Sequence, residues 1–169
     1  TPGGKPIMFY VILALIDPGD EVLYPNPGFP IYESMIRYIG GVPVPVRLLE
    51  EKGYALDVDQ LISKITAKTK LIILNYPHHP TGGVIPEAGP RAIADAAVQH
   101  RIPVLADEIY SQILYEGKHV SISTMPALAE MKPKRWRTIS APVVFREIPL
   151  LSRRTSSTRR GSFPISSPS

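Results

Sequence analysis

The sequence predicts an α/β fold: a mostly parallel sheet held between two layers of helices, α/β/α. Three observations carry this. Residues 71–74 and 102–106 are short runs that are apolar on both faces, as strands covered on both sides are, and they are too short for helices. Helical patterns alternate with the strand-like runs, which implies right-handed crossovers. Each of these two runs also ends at polar or turn-forming residues, Asn75-Tyr76-Pro77 and Asp107-Glu108, where the carboxyl ends of parallel strands present ligand-binding groups.

Taken in order, Gly3-Gly4-Lys5-Pro6 opens a helix over residues 7–15 that is apolar almost all round and is therefore expected to be buried. Glycines ahead of a helix let backbone N–H groups approach an anion, and the helix dipole adds attraction. Asp17-Pro18-Gly19-Asp20 is a turn, residues 21–24 a strand, and residues 31–39 a helix stopped by Gly40-Gly41. Residues 42–46 alternate valine with proline and so fit only an edge strand or an extended segment. Residues 48–54 form a charged loop with a Glu50-Glu51-Lys52-Gly53 turn. Residues 57–65 form an amphipathic helix with Val58, Leu61, Ile62 and Ile65 on one face and Asp57 at its start. A strand at 69–74, an alanine-rich helix at 87–100 and the strand at 102–106 follow. No repeat is evident.

Beyond residue 129 the character changes. Residues 132–137 are basic, Val143-Val144-Phe145 is an apolar island, and residues 152–169 are rich in Ser, Arg, Thr and Pro without periodicity, a composition expected to be poorly ordered. The organisation expected is therefore a domain over 1–131 and a divergent basic tail over 132–169. Thr1, rather than Met, stands first with a glycine turn close behind it, so residues ahead of it are expected.

The chain of 169 residues, 44% hydrophobic, is long enough for one core. The net charge is +4, but Arg135, Arg137, Arg146, Arg153, Arg154, Arg159 and Arg160 concentrate basicity in the tail, so a nucleic-acid partner is not expected. No apolar run reaches the length of a membrane span. The absence of cysteine removes disulfide and thiolate chemistry and fits a cytoplasmic protein. Adjacent His78 and His79 diverge and lack an acidic or cysteine partner, so no metal is expected.

Two segments carry the chemistry. Leu74-Asn75-Tyr76-Pro77-His78-His79-Pro80-Thr81-Gly82-Gly83 and Asp107-Glu108-Ile109-Tyr110 each follow an apolar strand. Asp107 as a simple helix cap is the alternative for that residue taken alone. Together, N-x-P-x-x-P-T-G and D-E-I-Y resemble the large domain of the class I/II, fold-type I aminotransferases that use pyridoxal 5′-phosphate (PLP), and the resemblance runs from Thr1 to about Ala129.

The resemblance implies an incomplete PLP-transferase large domain and a set of cofactor-binding residues. Gly3, Gly4 and Lys5 match the phosphate turn, and Phe29 matches the aromatic ring that stacks on the pyridine. Asp107 matches the anion at the pyridine nitrogen, and Tyr110 the donor to the 3′-oxygen. Asn75 begins the loop, but the family's 3′-oxygen asparagine stands immediately before Pro-Thr-Gly, where this chain has His79. The lysine that carries the cofactor is expected some thirty residues after Asp107, in a Ser-Lys or Ala-Lys context. Ser140-Ala141-Pro142 and Phe145-Arg146-Glu147 stand there instead, so no catalytic residue is assigned. Codons for Phe145-Arg146-Glu147 permit a lysine one base out of frame, which makes out-of-frame coding one expectation for the tail.

The implied activity is amino-group transfer between amino acids and 2-oxo acids, inactive in this chain for want of the lysine and the C-terminal domain. A homodimer or self-associating chain is also implied. The other readings are a non-catalytic remnant that binds PLP or phosphate, and a piece of a PLP β-lyase or cyclopropane-forming synthase.

Overall fold

The computed structural model describes residues 3–114 and 118–129, and the backbone of a strand at 143–145. The first helix, α1 (Gly4–Leu15), follows Gly3, whose φ of 88° lies where a side chain would be strained. Strand β1 (Glu21–Asn26) leads through a turn to α2 (Ile31–Tyr38) and then to β2 (Val42–Leu49). A single 3₁₀ turn, Glu50–Lys52, precedes the two-residue β3 (Ala55–Leu56). The rest of the order is α3 (Val58–Ser63), β4 (Thr69–Asn75), α4 (Gly89–His100), β5 (Val104–Asp107), a 3₁₀ turn Ile122–Thr124, α5 (Pro126–Ala129) and β6 (Val143–Phe145).

The strands form one sheet in the order β3-β2-β1-β4-β5-β6, parallel throughout except that β3 runs against β2. Strand order reverses between β1 and β4. The chain leaves β1 toward β2 on one side and leaves β4 toward β5 on the other. Crossovers of one hand moving in opposite directions put their helices on opposite faces.

The core follows that rule. On one face α1 and α2 pack Met8, Val11, Ile12, Tyr32 and Ile36 on Val22, Tyr24, Leu71, Ile73 and Leu105. On the other, α3, α4 and α5 pack Leu61, Ile93, Ala94, Ala97 and Leu128 on Leu23, Ile72, Leu74, Val104 and Ala106. The alternation 71/73 against 72/74 is the two-residue period of a strand covered on both sides. Asp57 caps α3 by accepting from the Gln60 amide at 2.9 Å.

The expected α/β/α arrangement is present, with the Val-Pro segment at an edge as expected, and three elements differ in detail. The helix α1 was expected to be buried all round, yet Tyr10 and Leu13 are 58% and 52% exposed, because only its Met8–Val11–Ile12 side meets the sheet. The Val-Pro segment is a strand with one edge unpaired until Leu48, where β3 joins it, so its prolines sit where no ladder donor is missed. Of the expected charged loop, Leu48 and Leu49 instead finish β2 and Glu50–Lys52 form the 3₁₀ turn, with Gly53 in the left-handed region behind it. The apolar island at 143–145 pairs as β6 alongside β5, with Phe145 opposite Asp107. The rest of the expected basic tail lies outside the described residues, and with it Ser140-Ala141-Pro142 and Arg146-Glu147, where the cofactor lysine was sought.

Candidate functional site

The reversal of strand order between β1 and β4 opens a crevice at the carboxyl edge of the sheet, the place where open α/β sheets bind ligands. The C-terminus of α1 leads through a turn into the start of β1, so α1 runs back against the strands and brings Gly3 and Gly4 to this same edge. A Cβ built on either glycine would meet nothing within 4 Å, so the first turn of α1 faces open space. Lys5 Nζ stands 5.7 Å from the centre of the ring of Phe29, which lies in the turn after β1 and packs against the α1–α2 core.

Asp107 closes β5 and is 4% exposed. It shares the parity of Leu105 and so points toward the α1–α2 layer. There Tyr32, wholly buried on α2, donates its hydroxyl to Asp107 Oδ2 at 2.6 Å. Burial pushes the Asp107 carboxyl above the usual carboxylate range, and the charge of Glu108 adds to this. The Tyr32 hydroxyl, the Ile109 amide and the nearby His79 pull the other way. The Tyr32 phenol is pushed far up by burial and by the Asp107 charge, so it stays a donor.

Asn75, at the end of β4, is used as a brace. Its Nδ2 donates to the Asp107 carbonyl at 3.0 Å and its Oδ1 accepts from the His79 amide at 2.8 Å. That ties two strand ends to the loop 76–83. Within the loop the His78 amide bonds the Gly83 carbonyl, and the Gly82 amide bonds the His78 carbonyl, each at 2.8 Å. A Cβ at Gly83 would lie 2.2 Å from the Tyr54 carbonyl, so only glycine lets the loop pass there. His78 Nδ1 meets Thr81 Oγ1 at 2.8 Å. Its buried Nε2 has no hydrogen-bond partner, and burial, with the charge of His79 second, pushes its imidazole down to about 4.

The His79 side chain enters the crevice. Its ring stacks on Tyr110, with centroids 5.8 Å apart and planes 15° apart, and meets Phe29 edge-on at 5.4 Å. Phe29 in turn meets Tyr32 at 5.8 Å. The structure thus brings Lys5, Phe29, His79, Asp107 and Tyr110 into one neighbourhood, with Gly3 and Gly4 at its rim. Tyr32 is the member that sequence reasoning missed. Its only signal was a place on the apolar side of α2, four residues before Ile36, which any core tyrosine shares.

Glu108 takes the opposite direction. It is wholly buried against the other layer, where its Oε2 lies 3.1 Å from His119 Nε2 and the Ile122 amide reaches its Oε1 at 3.3 Å. The same amide donates to the Tyr76 hydroxyl at 2.8 Å, and the Tyr76 and His119 rings lie 5.0 Å apart. A small cleft of about 10 Å³, room for one water, is lined on the near side of β2 by Leu48, Tyr54, Tyr76 and His78, away from Asp107. Among the described residues no three His, Cys, Asp or Glu side chains converge as a metal site, and no helix is long and apolar enough to cross a membrane.

The sequence profile of the aminotransferase class I and II family matches residues 1–143. The chain belongs to that family. Its match extends past about Ala129, where the resemblance read from the residues ends. Family members depend on PLP. The probable aspartate/prephenate aminotransferase of Thermus aquaticus is 43% identical over 125 residues, covering 74% of this chain and 33% of that protein. The aspartate/prephenate aminotransferase of Thermus thermophilus is 42% identical over 121 residues, 72% of this chain and 31% of the relative. Among solved structures, N-succinyldiaminopimelate aminotransferase from Mycobacterium tuberculosis superposes with a TM-score of 0.73 at 32% identity, over 78% of this chain and 35% of its own. The chain spans about a third of the length of the relatives it matches.

The site residues fit a flat pyridine phosphate. A buried carboxyl at the strand end suits a ring N–H, an aromatic face stands beside it, and a helix start with steric room at two glycines and a lysine suits a phosphate.

Proposed function

We propose that this chain is the cofactor-binding part of a PLP-dependent aminotransferase, and that it binds PLP without turning over amino acids on its own. The observation that carries the reading is Asp107: an ionisable carboxyl kept in a buried place, at the end of the strand next to the strand-order reversal, braced by Tyr32. A buried carboxyl is costly to keep ionised, and groups held at such cost concentrate at functional sites.

When bound, the cofactor supplies an electron-withdrawing ring that drains charge from the substrate carbon bearing the amino group. Asp107 would hold the proton on the ring nitrogen, and Tyr32 would keep that carboxylate oriented. Tyr110 would donate to the ring 3′-oxygen, Phe29 would cover one face of the ring, and the Gly3 and Gly4 amides with Lys5 would take the phosphate. Asn75 supports the site from beneath through the Asp107 and His79 main chains. The relatives' names support an amino-acid and 2-oxo-acid substrate class. Self-association and a cytoplasmic setting complete the proposal; the exposed Tyr10 and Leu13 of α1 support the first.

The test is titration of the purified chain with PLP, followed by borohydride reduction and peptide mass mapping. Saturable binding with no unique adduct is the expected result. A phosphopyridoxyl group on one defined lysine would replace this reading with a catalytic one, and no saturable binding would refute it.

A further inference from the structure

The imidazole of His79 is itself a flat, nitrogen-bearing aromatic ring, and it lies against the groups assigned to the cofactor ring. It stacks on Tyr110 at 5.8 Å and meets Phe29 at 5.4 Å, and it stands near enough to Asp107 for its charge to act on that carboxyl. We propose that His79 closes the ring slot in the free protein, so that a flat heteroaromatic anion enters only when this imidazole turns out. The identity of the slot rests on the cofactor reading above; the occupancy by His79 is read from the ring contacts themselves.

The local structure allows a side-chain switch and little else. The His79 amide is held by Asn75 Oδ1 at 2.8 Å, Pro80 follows, and the 78–83 loop is closed by its own main-chain bonds. Rotation about the two side-chain torsions is therefore the available motion. The residue is only partly buried, so its ring has a way out to solvent. Turning it out gives up one stacked and one edge-on aromatic contact, and that cost is subtracted from the affinity of whatever ring replaces it. The competing assignment makes His79 a hydrogen-bond donor to the bound ring's 3′-oxygen, in which case removing it would weaken binding.

The two assignments predict opposite signs, measured by PLP fluorescence titration at one pH with circular dichroism to check folding. The slot-closing role predicts that His79→Ala binds PLP about fivefold more tightly than the parent chain. It also predicts that His79→Asn tightens binding, and that His79→Phe, which keeps a ring in the slot, does not. In the free protein the His79 ring C–H resonances should carry the ring-current shifts of Phe29 and Tyr110 and lose them on adding PLP. Equal or weaker PLP binding by His79→Ala overturns this inference and leaves the cofactor reading standing. No saturable binding by the parent or any variant overturns both. Resonances without ring-current shifts in the free protein overturn the occupancy alone.

Discussion

Asp107 and Glu108 are neighbours in sequence, carry the same charge and are both buried, yet they face opposite layers of the molecule. Strand parity sends Asp107 to the α1–α2 side, where it meets one tyrosine hydroxyl and the rim of the crevice. Glu108 turns to the α4–α5 side, where a histidine and a main-chain amide close around it. The pair teaches how one strand end serves two purposes. Glu108 ties residues 118–124, which have little regular structure of their own, to the core. Asp107 is left with a raised proton affinity beside an open crevice, which suits a ligand better than it suits stability.

If that division is right, the largest stability effect belongs to Glu108. Glu108→Ala leaves the nearly buried His119 without its carboxylate neighbour, while the Ile122 amide keeps the Tyr76 hydroxyl, and a buried polar group left without its partner costs up to about 3 kcal/mol. Urea unfolding measures it; a loss near zero would break the contrast. The buried histidines sharpen it in acid. His119 faces a carboxylate, whereas His78 bonds Thr81, has no partner at its buried Nε2, and its imidazole is pushed down to about 4. A folded value below the unfolded one gives stability that is fully present above pH 6.5 and is lost as pH falls through about 4. The expected slope is at most about 1.4 kcal/mol per pH unit, and His78→Gln should flatten it. The smallest of the three is Tyr32→Phe, which removes a hydrogen bond to a carboxylate and costs about 1.5 kcal/mol. It should also raise the Asp107 proton affinity further, since the Tyr32 hydroxyl now lowers it.

Much of this was legible in the residues. The strands β4 and β5 and the one helix that separates them, α4, announce themselves as the apolar runs 71–74 and 102–106 and an alanine-rich helical stretch. Asp107, Phe29 and Tyr110 stand at motif positions, and the fold sets Phe29 and Tyr110 against the His79 ring and Asp107 against Tyr32. Tyr32 was not legible, because its partner lies 75 residues away and nothing local distinguishes a bonded phenol from a packed one. The two-residue β3 has no period to detect, being set by the Gly53 turn that folds Ala55 back on Leu49. The exposure of Tyr10 and Leu13 was hidden for a different reason: composition says that a helix is apolar, not how many of its sides meet other elements.

The central claim, that Asp107 serves the ligand rather than the fold, is tested most directly by PLP titration of the parent chain, Asp107→Asn and Asp107→Ala, with urea unfolding of each at neutral pH. A raised folded pKa gives Asp107 stability that is fully present below its unfolded pKa and is lost as pH rises through the folded one. At neutral pH the burial of this carboxyl therefore costs stability. The account predicts that Asp107→Asn unfolds at a urea concentration no lower than the parent's, and that both variants lose at least about tenfold in PLP affinity. Unchanged PLP affinity in a folded Asp107→Ala would contradict it.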